Sequence, residues 1–234
     1  MRGRWPVRVA DLAPILDGVD AVLLDLYDTL VRTRWGQLSE RITEELGIEK
    51  GELFRAYDLT RAARGVGAYG SVDGDMTAVV EAAGVDPEPP LIERLLRLER
   101  EFSENGVELW EDSLPVLRDL RARGVKAALI SNCSHSTRAV VDRLRIDEEF
   151  DEVLLSFEVR MHKPDPEIYR AALRRLGDVA PDRAVFVDDQ TAYCDGAAAL
   201  GIETFLIDRS GDGTPDENGH RVIGDLRALL TVSA

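Results

Sequence analysis

Short apolar runs alternate with segments of helical periodicity along most of the chain, and this alternation limits the possible folds more than any other feature. The runs predict five β-strands, at residues 21–24, 126–130, 152–155, 184–187 and 203–207. Helical patterns that end at Gly124, Gly177 and Gly201 precede the second, fourth and fifth strands. Alternation of this kind predicts an α/β fold, in which helices cover both faces of a doubly wound, Rossmann-like parallel sheet.

The interval 32–109 has a different pattern, because helical periodicity continues through it without a strand candidate. Helices are predicted there at residues 38–46, 52–63, 76–83 and 91–102. A glycine-rich break and a proline-rich break indicate loops between them, at residues 65–70 and 87–90. We therefore predict a small helical domain at 32–109, inserted into an α/β core made of residues 1–31 and 110–234.

Composition and charge argue against several classes of protein. The chain has 234 residues with 44% apolar content, enough for a sizeable core, and no apolar stretch approaches the ~18 residues of a membrane span. Its 44 acidic and 29 basic residues give a formal charge of -15, which opposes binding to nucleic acid or anionic lipid. Cys133 and Cys194 form no C-x-x-C pair, so a disulfide framework or structural zinc site has no support. We expect a cytoplasmic monomer or homodimer that acts on a small molecule.

Polar side chains follow three of the predicted strands. Asp25 follows the first strand, Ser131 and Asn132 follow the second, and Asp188 and Asp189 follow the fourth. Because ligands of such sheets bind beyond the carboxyl ends of the strands, we expect these side chains to face one crevice. Three carboxylates at one place repel each other and raise each other's pKa, so the set predicts a bound metal ion and a nearby ammonium group.

Lys163, which lies between the third and fourth predicted strands, can supply the ammonium group. No histidine or cysteine accompanies the carboxylates at the strand ends, and hard oxygen ligands favour Mg2+. A metal ion with carboxylates and a lysine is typical of sites that handle phosphate.

The strand-end residues, taken in order, resemble the four motifs of the haloacid dehalogenase-like (HAD) hydrolase superfamily, and the resemblance covers almost the whole chain. Asp25 matches the nucleophile of the first motif, and Ser131 matches the hydroxyl of the second. Lys163 matches the lysine of the third motif, and Asp188 with Asp189 matches the acidic pair of the fourth. The helical insertion after the first motif is similar to the family's small cap domain.

The resemblance implies a phosphatase mechanism. Asp25 would attack phosphorus and form an aspartyl-phosphate, which water then hydrolyses. The ligands of Mg2+ would be Asp25, Asp188, Asp189 and the main-chain carbonyl of Tyr27. The ion would neutralise developing charge. Ser131 and main-chain amides at the start of the next helix would hold phosphate oxygens, while Lys163 would add a positive charge.

Substrate contacts are expected from both the core and the insertion. The candidates are Thr29 beside the nucleophile, Tyr27, Asn132 and, from the insertion, Arg64. Further candidates for contact with the organic part of a substrate are Arg34, Trp35, Arg61 and Tyr69. Arginines on the helices of an acidic protein more often face water, so the sequence leaves their roles open. It also leaves the natural substrate open.

Tyr27 departs from the pattern of the family, because most family phosphatases carry a second aspartate there that protonates the leaving group and activates the water. A phenol has a pKa of about 10 and is a poor base near neutral pH. The tyrosine is instead similar to the first motif of the 2-haloacid dehalogenases, which attack carbon, expel halide and need no metal. We place a Mg2+-dependent phosphatase above such a dehalogenase, because the dehalogenases usually lack the acidic pair Asp188 and Asp189.

Two further interpretations stay open. The tyrosine could mark a protein that binds phosphate-bearing ligands or protein partners with little turnover. Asp28 or His135 could also replace the missing acid, since Asp28 lies in the first motif and His135 follows Ser131 closely. Asp28 fits the role of a turn residue at least as well.

Overall fold

The computed structural model describes residues 16–211 and 218–230, so the first 15 residues of the predicted core lie outside the described ranges. The strands are β1 (Ala21–Leu24), β2 (Val31–Thr33), β3 (Val107–Leu109), β4 (Lys126–Ser131), β5 (Glu152–Leu155), β6 (Ala184–Asp188), β7 (Glu203–Ile207) and β8 (Arg221–Ile223). The helices are α1 (Trp35–Leu46), α2 (Lys50–Gly65), α3 (Val72–Ala82), α4 (Pro89–Asn105), α5 (Ser113–Ala122), α6 (Thr137–Leu144), α7 (Ser156–Val159), α8 (Pro166–Arg175) and α9 (Thr191–Ala198). None of the described helices is both long enough and apolar enough to cross a bilayer.

Six strands form one parallel sheet in the order β5-β4-β1-β6-β7-β8. The predicted α/β fold with a parallel, Rossmann-like sheet is therefore confirmed. Each of the five predicted strands matches an observed strand to within one residue. β8 is not among the predicted strands, because three residues at the edge of a sheet carry too short a pattern to be recognised.

β2 and β3 form a separate antiparallel pair, with Val31 opposite Leu109 and Thr33 opposite Val107. The prediction that the interval 32–109 contains no strand is therefore wrong at its two ends. Strands of three residues are too short to show the period of two that identifies a half-buried strand. The pair brings the entry and the exit of the four-helix segment α1–α4 side by side.

Alternate residues of β1 face opposite sides of the main sheet, as strand geometry requires. Val22 and Leu24 belong to one buried apolar cluster, and Ala21 and Leu23 belong to the other. All four are fully buried, because β1 lies between β4 and β6 with helices on both faces. The helices α1–α4 enclose a third apolar cluster, in which Ile42 is fully buried.

The loop that precedes α8 lies close against α9. Asp165 accepts a hydrogen bond from the Glu167 amide at 2.9 Å and caps α8, which begins at Pro166. Gly196 of α9 faces this loop, and a Cβ atom at Gly196 would lie 2.8 Å from the main-chain oxygen of Pro164. The absence of a side chain at Gly196 therefore allows the loop to approach the helix.

We expect Gly196→Ala to destabilise the protein by about 1–3 kcal/mol, because the added methyl group overlaps Pro164 and forces the loop away from α9. The free energy of unfolding in urea measures this change. Gly36→Ala is the matched control, since nothing lies within 4 Å of a Cβ atom added at Gly36 of α1. Alanine is the better helix former, so this control should be unchanged or more stable by up to about 1 kcal/mol. Equal stability of the two variants would contradict the close approach.

Candidate active site

A buried ammonium group joins the ends of two neighbouring strands. Asp25 follows β1 and Asp188 ends β6, and these strands pair side by side. The Lys163 Nζ atom lies 2.5 Å from Asp25 Oδ1 and 2.6 Å from Asp188 Oδ2. Lys163 is 1% exposed and Asp188 0% exposed, so the contacts are shielded from water and electrostatically strong. The structure thus brings together three residues that the sequence places at separate points of the chain.

Asp189 adds a third carboxylate to this arrangement. One carboxylate oxygen of each of Asp25, Asp188 and Asp189 lies within 4.8 Å of the other two. Burial raises the pKa of Asp25 to about 7, against the opposing effect of the Lys163 charge. Burial also raises the pKa of Asp189 to about 8, and the negative charges of Asp25 and Asp188 add to this effect.

These donors fit a divalent cation such as Mg2+. Burial alone would lower the pKa of Lys163, but the carboxylates of Asp188 and Asp25 raise it, so the ammonium stays charged. Ionisation of all three carboxyl groups would nevertheless place three negative charges against one ammonium, and excess charge in a buried place is unfavourable. The donors are all hard oxygens, and no histidine or cysteine of the described residues belongs to the cluster, which favours Mg2+ over Zn2+.

Asn132 fixes the loop that carries Lys163. The Asn132 Oδ1 atom accepts a hydrogen bond from the Lys163 amide at 2.7 Å, and the Asn132 Nδ2 atom donates to the Lys163 carbonyl at 2.7 Å. Both the oxygen and the nitrogen of the Asn132 side chain are therefore hydrogen-bonded to the main chain of Lys163. Asn132 lines the cavity described below, but these contacts make it a support for the lysine.

Ser131 and Thr29 lie behind the cavity wall. Both hydroxyl groups are buried and have no hydrogen-bond partner among the described residues. An unpaired buried hydroxyl costs about 1–3 kcal/mol, so each marks a place where a polar partner is favoured. Neither residue lines the cavity, and the predicted contact between Thr29 and a substrate has no support from its position.

Arg209, which no sequence motif identifies, holds the loop after Asp25 from behind. Its Nε and Nη2 atoms donate to the Thr29 carbonyl at 3.1 and 2.5 Å, and its Nη1 atom contacts Asp112 Oδ2 at 2.7 Å. Ser113 Oγ donates to the Leu30 carbonyl at 2.7 Å. Residues far along the chain therefore fix the loop between β1 and β2. A single arginine two positions after a strand gives no signal of this contact in the sequence.

Tyr27 is a hydrogen-bonded, neutral phenol. Its hydroxyl lies 3.0 Å from the Oγ1 atom of Thr137, the first residue of α6. Burial raises the pKa of Tyr27 above that of a free phenol, so it stays un-ionised near neutral pH and cannot act as a base there. Tyr27 also lines the cavity, where it places an aromatic ring in the position of the family's second aspartate.

Asp28 and His135 differ in their relation to the cavity. Asp28 lines it from a left-handed turn with a φ of 57°, and its amide donates to the Val31 carbonyl at 2.8 Å. His135 is not part of the cavity wall. Its Nδ1 atom lies 2.8 Å from Asp75 Oδ2, and its ring centroid lies 4.7 Å from that of Phe157. Of the two candidates for the missing acid, Asp28 is therefore the better placed.

A cavity of about 680 Å³ lies between the strand ends and the helices α2, α3 and α4. Its wall on the side of the strands includes Asp25, Lys163 and Asp189. The carboxylates of Asp25 and Asp189 and the ammonium of Lys163 therefore open into a space large enough for a small molecule.

The insertion contributes both predicted and unpredicted residues to the cavity. The predicted candidates that line it are Trp35, Arg61 and Arg64. The predicted candidates that do not line it are Arg34, which pairs with Glu108 at 2.6 Å, and Tyr69. The polar residues that line it without having been predicted are Thr33, Tyr57, Asp58, Asp75 and Glu99. The helices of the insertion carry no sequence pattern that distinguishes a residue facing a ligand from one facing a neighbouring helix.

Comparison with known proteins supports the fold and identifies the family. The chain matches the profile of the haloacid dehalogenase-like hydrolases over residues 19–201. A glyceraldehyde 3-phosphate phosphatase of Methanopyrus kandleri is 31% identical over 82% of this chain and 84% of its own length. An (S)-2-haloacid dehalogenase of Pseudomonas sp. (strain CBS-3) is 27% identical over 83% of this chain and 86% of its own length.

The fold is also similar to that of a solved HAD-family enzyme from Bacteroides thetaiotaomicron. The TM-score is 0.68 at 22% identity, over 84% of this chain and 97% of the other. Since the family profile covers most of the chain, this chain belongs to the haloacid dehalogenase-like hydrolase family.

Proposed function

We propose that this HAD-family hydrolase is a Mg2+-dependent phosphatase of a small phosphorylated metabolite, with Asp25 as its nucleophile. The observation that carries the proposal is the charge of the site. Three carboxylates, each with an oxygen within 4.8 Å of the others, face the buried ammonium of Lys163. A reaction without a metal would leave this negative charge uncompensated beside an anionic substrate, whereas a divalent cation compensates it.

Asp25 forms the covalent intermediate in the proposed reaction. Its carboxylate attacks phosphorus, and the bond from phosphorus to the leaving oxygen breaks. The leaving oxygen takes the electron pair of that bond and a proton from water and departs as the alcohol, and an aspartyl-phosphate results. Water then attacks the same phosphorus, which releases inorganic phosphate and restores the carboxylate. Lys163 holds Asp25 Oδ1 in position and places a positive charge beside the phosphoryl group. Ser131 is proposed as a donor to a phosphate oxygen because its buried hydroxyl has no partner among the described residues, although its side chain does not line the cavity.

The residues proposed to hold Mg2+ are Asp25, Asp188, Asp189 and the main-chain carbonyl of Tyr27. When bound, the ion supplies positive charge that stabilises the negative charge developing on the phosphoryl group. The phenol of Tyr27 does not activate the water, because it is un-ionised and hydrogen-bonded to Thr137. Turnover is therefore expected to lack the full general-base contribution of about 10²–10⁴-fold.

We also propose that residues 32–109 act as a cap over a core made of 1–31 and 110–234. The helices α2, α3 and α4 supply one wall of the cavity, and Arg64 is the proposed contact with the organic part of the substrate. Asn132 supports the loop that carries Lys163, and the Thr29 carbonyl accepts the hydrogen bonds by which Arg209 holds the loop after Asp25.

The phosphatase from Methanopyrus kandleri supports the proposed reaction class. One observation favours a metal-independent 2-haloacid dehalogenase as the second candidate, namely Tyr27 in place of the second aspartate. Asp188 and Asp189 argue against that candidate, because a site without a metal gains nothing from their excess negative charge.

Location and partners stay predictions from the sequence. They comprise a cytoplasmic location, a monomeric or homodimeric state, and the absence of nucleic-acid and membrane partners. The net charge of -15 supports the last of these, since it opposes attraction to polyanions.

We expect Mg2+ binding to release protons and to strengthen as the pH rises. Asp25 and Asp189 have pKa values raised to about 7 and about 8, so both must lose protons to bind the ion. The apparent affinity should therefore increase between about pH 6 and about pH 8. Calorimetry in two buffers of different ionisation enthalpy measures the number of protons released.

The same carboxyl groups make the stability of the metal-free protein fall as the pH rises through this range, because the folded state holds protons that the unfolded state has already lost. Mg2+ should raise Tm most at the upper end of the range. Asp189→Asn should weaken both the loss of stability with rising pH and the rise in Tm caused by Mg2+. Asp119→Asn, at an exposed ion pair with Arg123, should leave both unchanged. An affinity for Mg2+ that is independent of pH would contradict the proposed ligands.

Lys163→Met should destabilise the metal-free protein by about 3–5 kcal/mol near ~pH 8, because it leaves two buried carboxylates without their ammonium partner. The loss should shrink towards ~pH 5, where protonation of Asp25 removes one of the unpaired charges. Urea unfolding at both pH values measures the difference. Arg183→Met, which removes the exposed partner of Asp20, should have a smaller effect without this pH dependence.

Phosphate release from a panel of phosphomonoesters, together with halide release from 2-haloacids, tests the reaction itself. The phosphatase proposal expects phosphate release that requires Mg2+ and falls at least about a thousandfold in Asp25→Asn, which lacks the nucleophile. Halide release in the presence of a chelator would identify the dehalogenase instead. Release of neither product would favour a protein that binds phosphate-bearing ligands without turnover.

A further inference from the structure

A group of polar side chains lines the wall of the cavity that the inserted helices form. We call it the cap cluster, and its members are Tyr57 and Arg64 on α2, Asp75 on α3 and Glu99 on α4. Three helices contribute to it, so the cluster exists only in the packed helical domain. It lies outside the group of carboxylates around Lys163, and the proposed chemistry uses none of its acidic residues.

Arg64 is held in place with donors to spare. Its Nε atom donates to Thr60 Oγ1 at 3.0 Å, its Nη2 atom donates to the Tyr57 carbonyl at 2.9 Å, and the guanidinium lies 4.8 Å from the centre of the Tyr57 ring. Its Nη1 atom has no hydrogen bond to the described residues. The guanidinium is therefore fixed in orientation but can still donate hydrogen bonds into the cavity.

Asp75 and Tyr57 provide oxygens without a partner. Asp75 is 6% exposed, and its Oδ2 atom accepts hydrogen bonds from the His135 amide at 3.1 Å and from the His135 ring at 2.8 Å. The Asp75 Oδ1 atom and the Tyr57 hydroxyl are buried without a hydrogen-bond partner in the described part of the chain. Burial raises the pKa of the neighbouring Glu99, against the opposing charge of Arg64. The cluster thus offers acceptors as well as donors.

The charges of the cap cluster disfavour a charged ligand of either sign. Near the cavity rim Arg61 pairs with Asp58 at 3.2 Å, so the guanidinium of Arg64 faces the carboxyl groups of Asp75 and Glu99. A second phosphate or a carboxylate on the substrate would meet two acidic groups, and an ammonium would meet the fixed guanidinium. Each such approach places like charges together in a partly buried site.

We infer that the cap cluster binds the hydroxyl groups of an uncharged polyol or sugar carried by the phosphate ester, an inference that rests on the proposed phosphatase function. A hydroxyl group both donates and accepts, so one ligand can satisfy the acceptors of Asp75 and Glu99 and the donors of Arg64. The cavity of about 680 Å³ lies within the size range of small-molecule sites.

Rates of phosphate release with Mg2+ test this preference. Glycerol phosphate and ribose phosphate represent the uncharged polyols, phosphoglycerate carries a carboxylate, and phosphoethanolamine carries an ammonium. We expect kcat/KM to be about tenfold or more higher for the first two, because like charges at a desolvated site are strongly unfavourable. The reference substrate is p-nitrophenyl phosphate, which has no hydroxyl group on its organic part.

Variants of the cap cluster separate recognition from reactivity. Arg64→Met and Asp75→Asn should each lower kcat/KM for glycerol phosphate about tenfold or more, because the hydroxyl groups of this substrate lose their hydrogen-bond partners. The same variants should lower kcat/KM for p-nitrophenyl phosphate less than about threefold, because this substrate has no such hydroxyl groups. The matched control is Arg55→Met on the same helix, since Arg55 lies outside the large cavity and 3.9 Å from Glu52. This control should change neither rate.

Binding is measured separately, as the rise in Tm that each compound causes in the Asp25→Asn protein. A larger rise with phosphoglycerate or phosphoethanolamine than with glycerol phosphate would overturn the inference. Equal effects of Arg64→Met on glycerol phosphate and on p-nitrophenyl phosphate would overturn it as well. Absence of phosphate release from every compound contradicts the proposed function instead, and the order of binding to Asp25→Asn then decides the role of the cap cluster.

Discussion

The ammonium of Lys163 connects parts of the chain that otherwise meet only through the sheet. It contacts Asp25 and Asp188 at the ends of β1 and β6, and it is carried by a loop that Asn132 fixes at the end of β4. Buried charges interact strongly, so the positions of these three strand ends and the charge of the site depend on each other. Burial raises the pKa of the neighbouring Asp189, and the charges of Asp25 and Asp188 add to this effect.

The central strands could be predicted because burial on both faces gives them a continuous apolar sequence. Residues 21–24 are all 0% exposed, and an apolar run of that kind between helical segments leaves few alternatives to a parallel sheet. β2, β3 and β8 could not be predicted, because each has three residues and pairs through tertiary contacts. The pairing of β2 with β3 depends on four intervening helices folding back on themselves, which no local pattern specifies.

The acidic residues of the site could be predicted for a topological reason, since parallel strands present their carboxyl ends at one edge of the sheet. The contacts of Asn132 and Arg209 could not, because both residues bind main-chain atoms of distant segments, and such atoms leave no signature in the sequence. The contribution of Tyr57, Asp75 and Glu99 to the cavity could not be predicted for a third reason. Which face of α2, α3 or α4 meets the cavity is decided by how the helices pack against one another.

Asp75 lies where the two layers of the molecule meet. One of its oxygens accepts hydrogen bonds from His135, in the loop after β4, and the other has no partner in the described part of the chain. A ligand that binds the second oxygen shares a single carboxylate with the contact between the inserted helices and the sheet domain. Ligand binding in the cavity and docking of the helices on the sheet are then thermodynamically coupled. If a ligand changes the equilibrium constant for docking by some factor, docking changes the affinity for the ligand by the same factor.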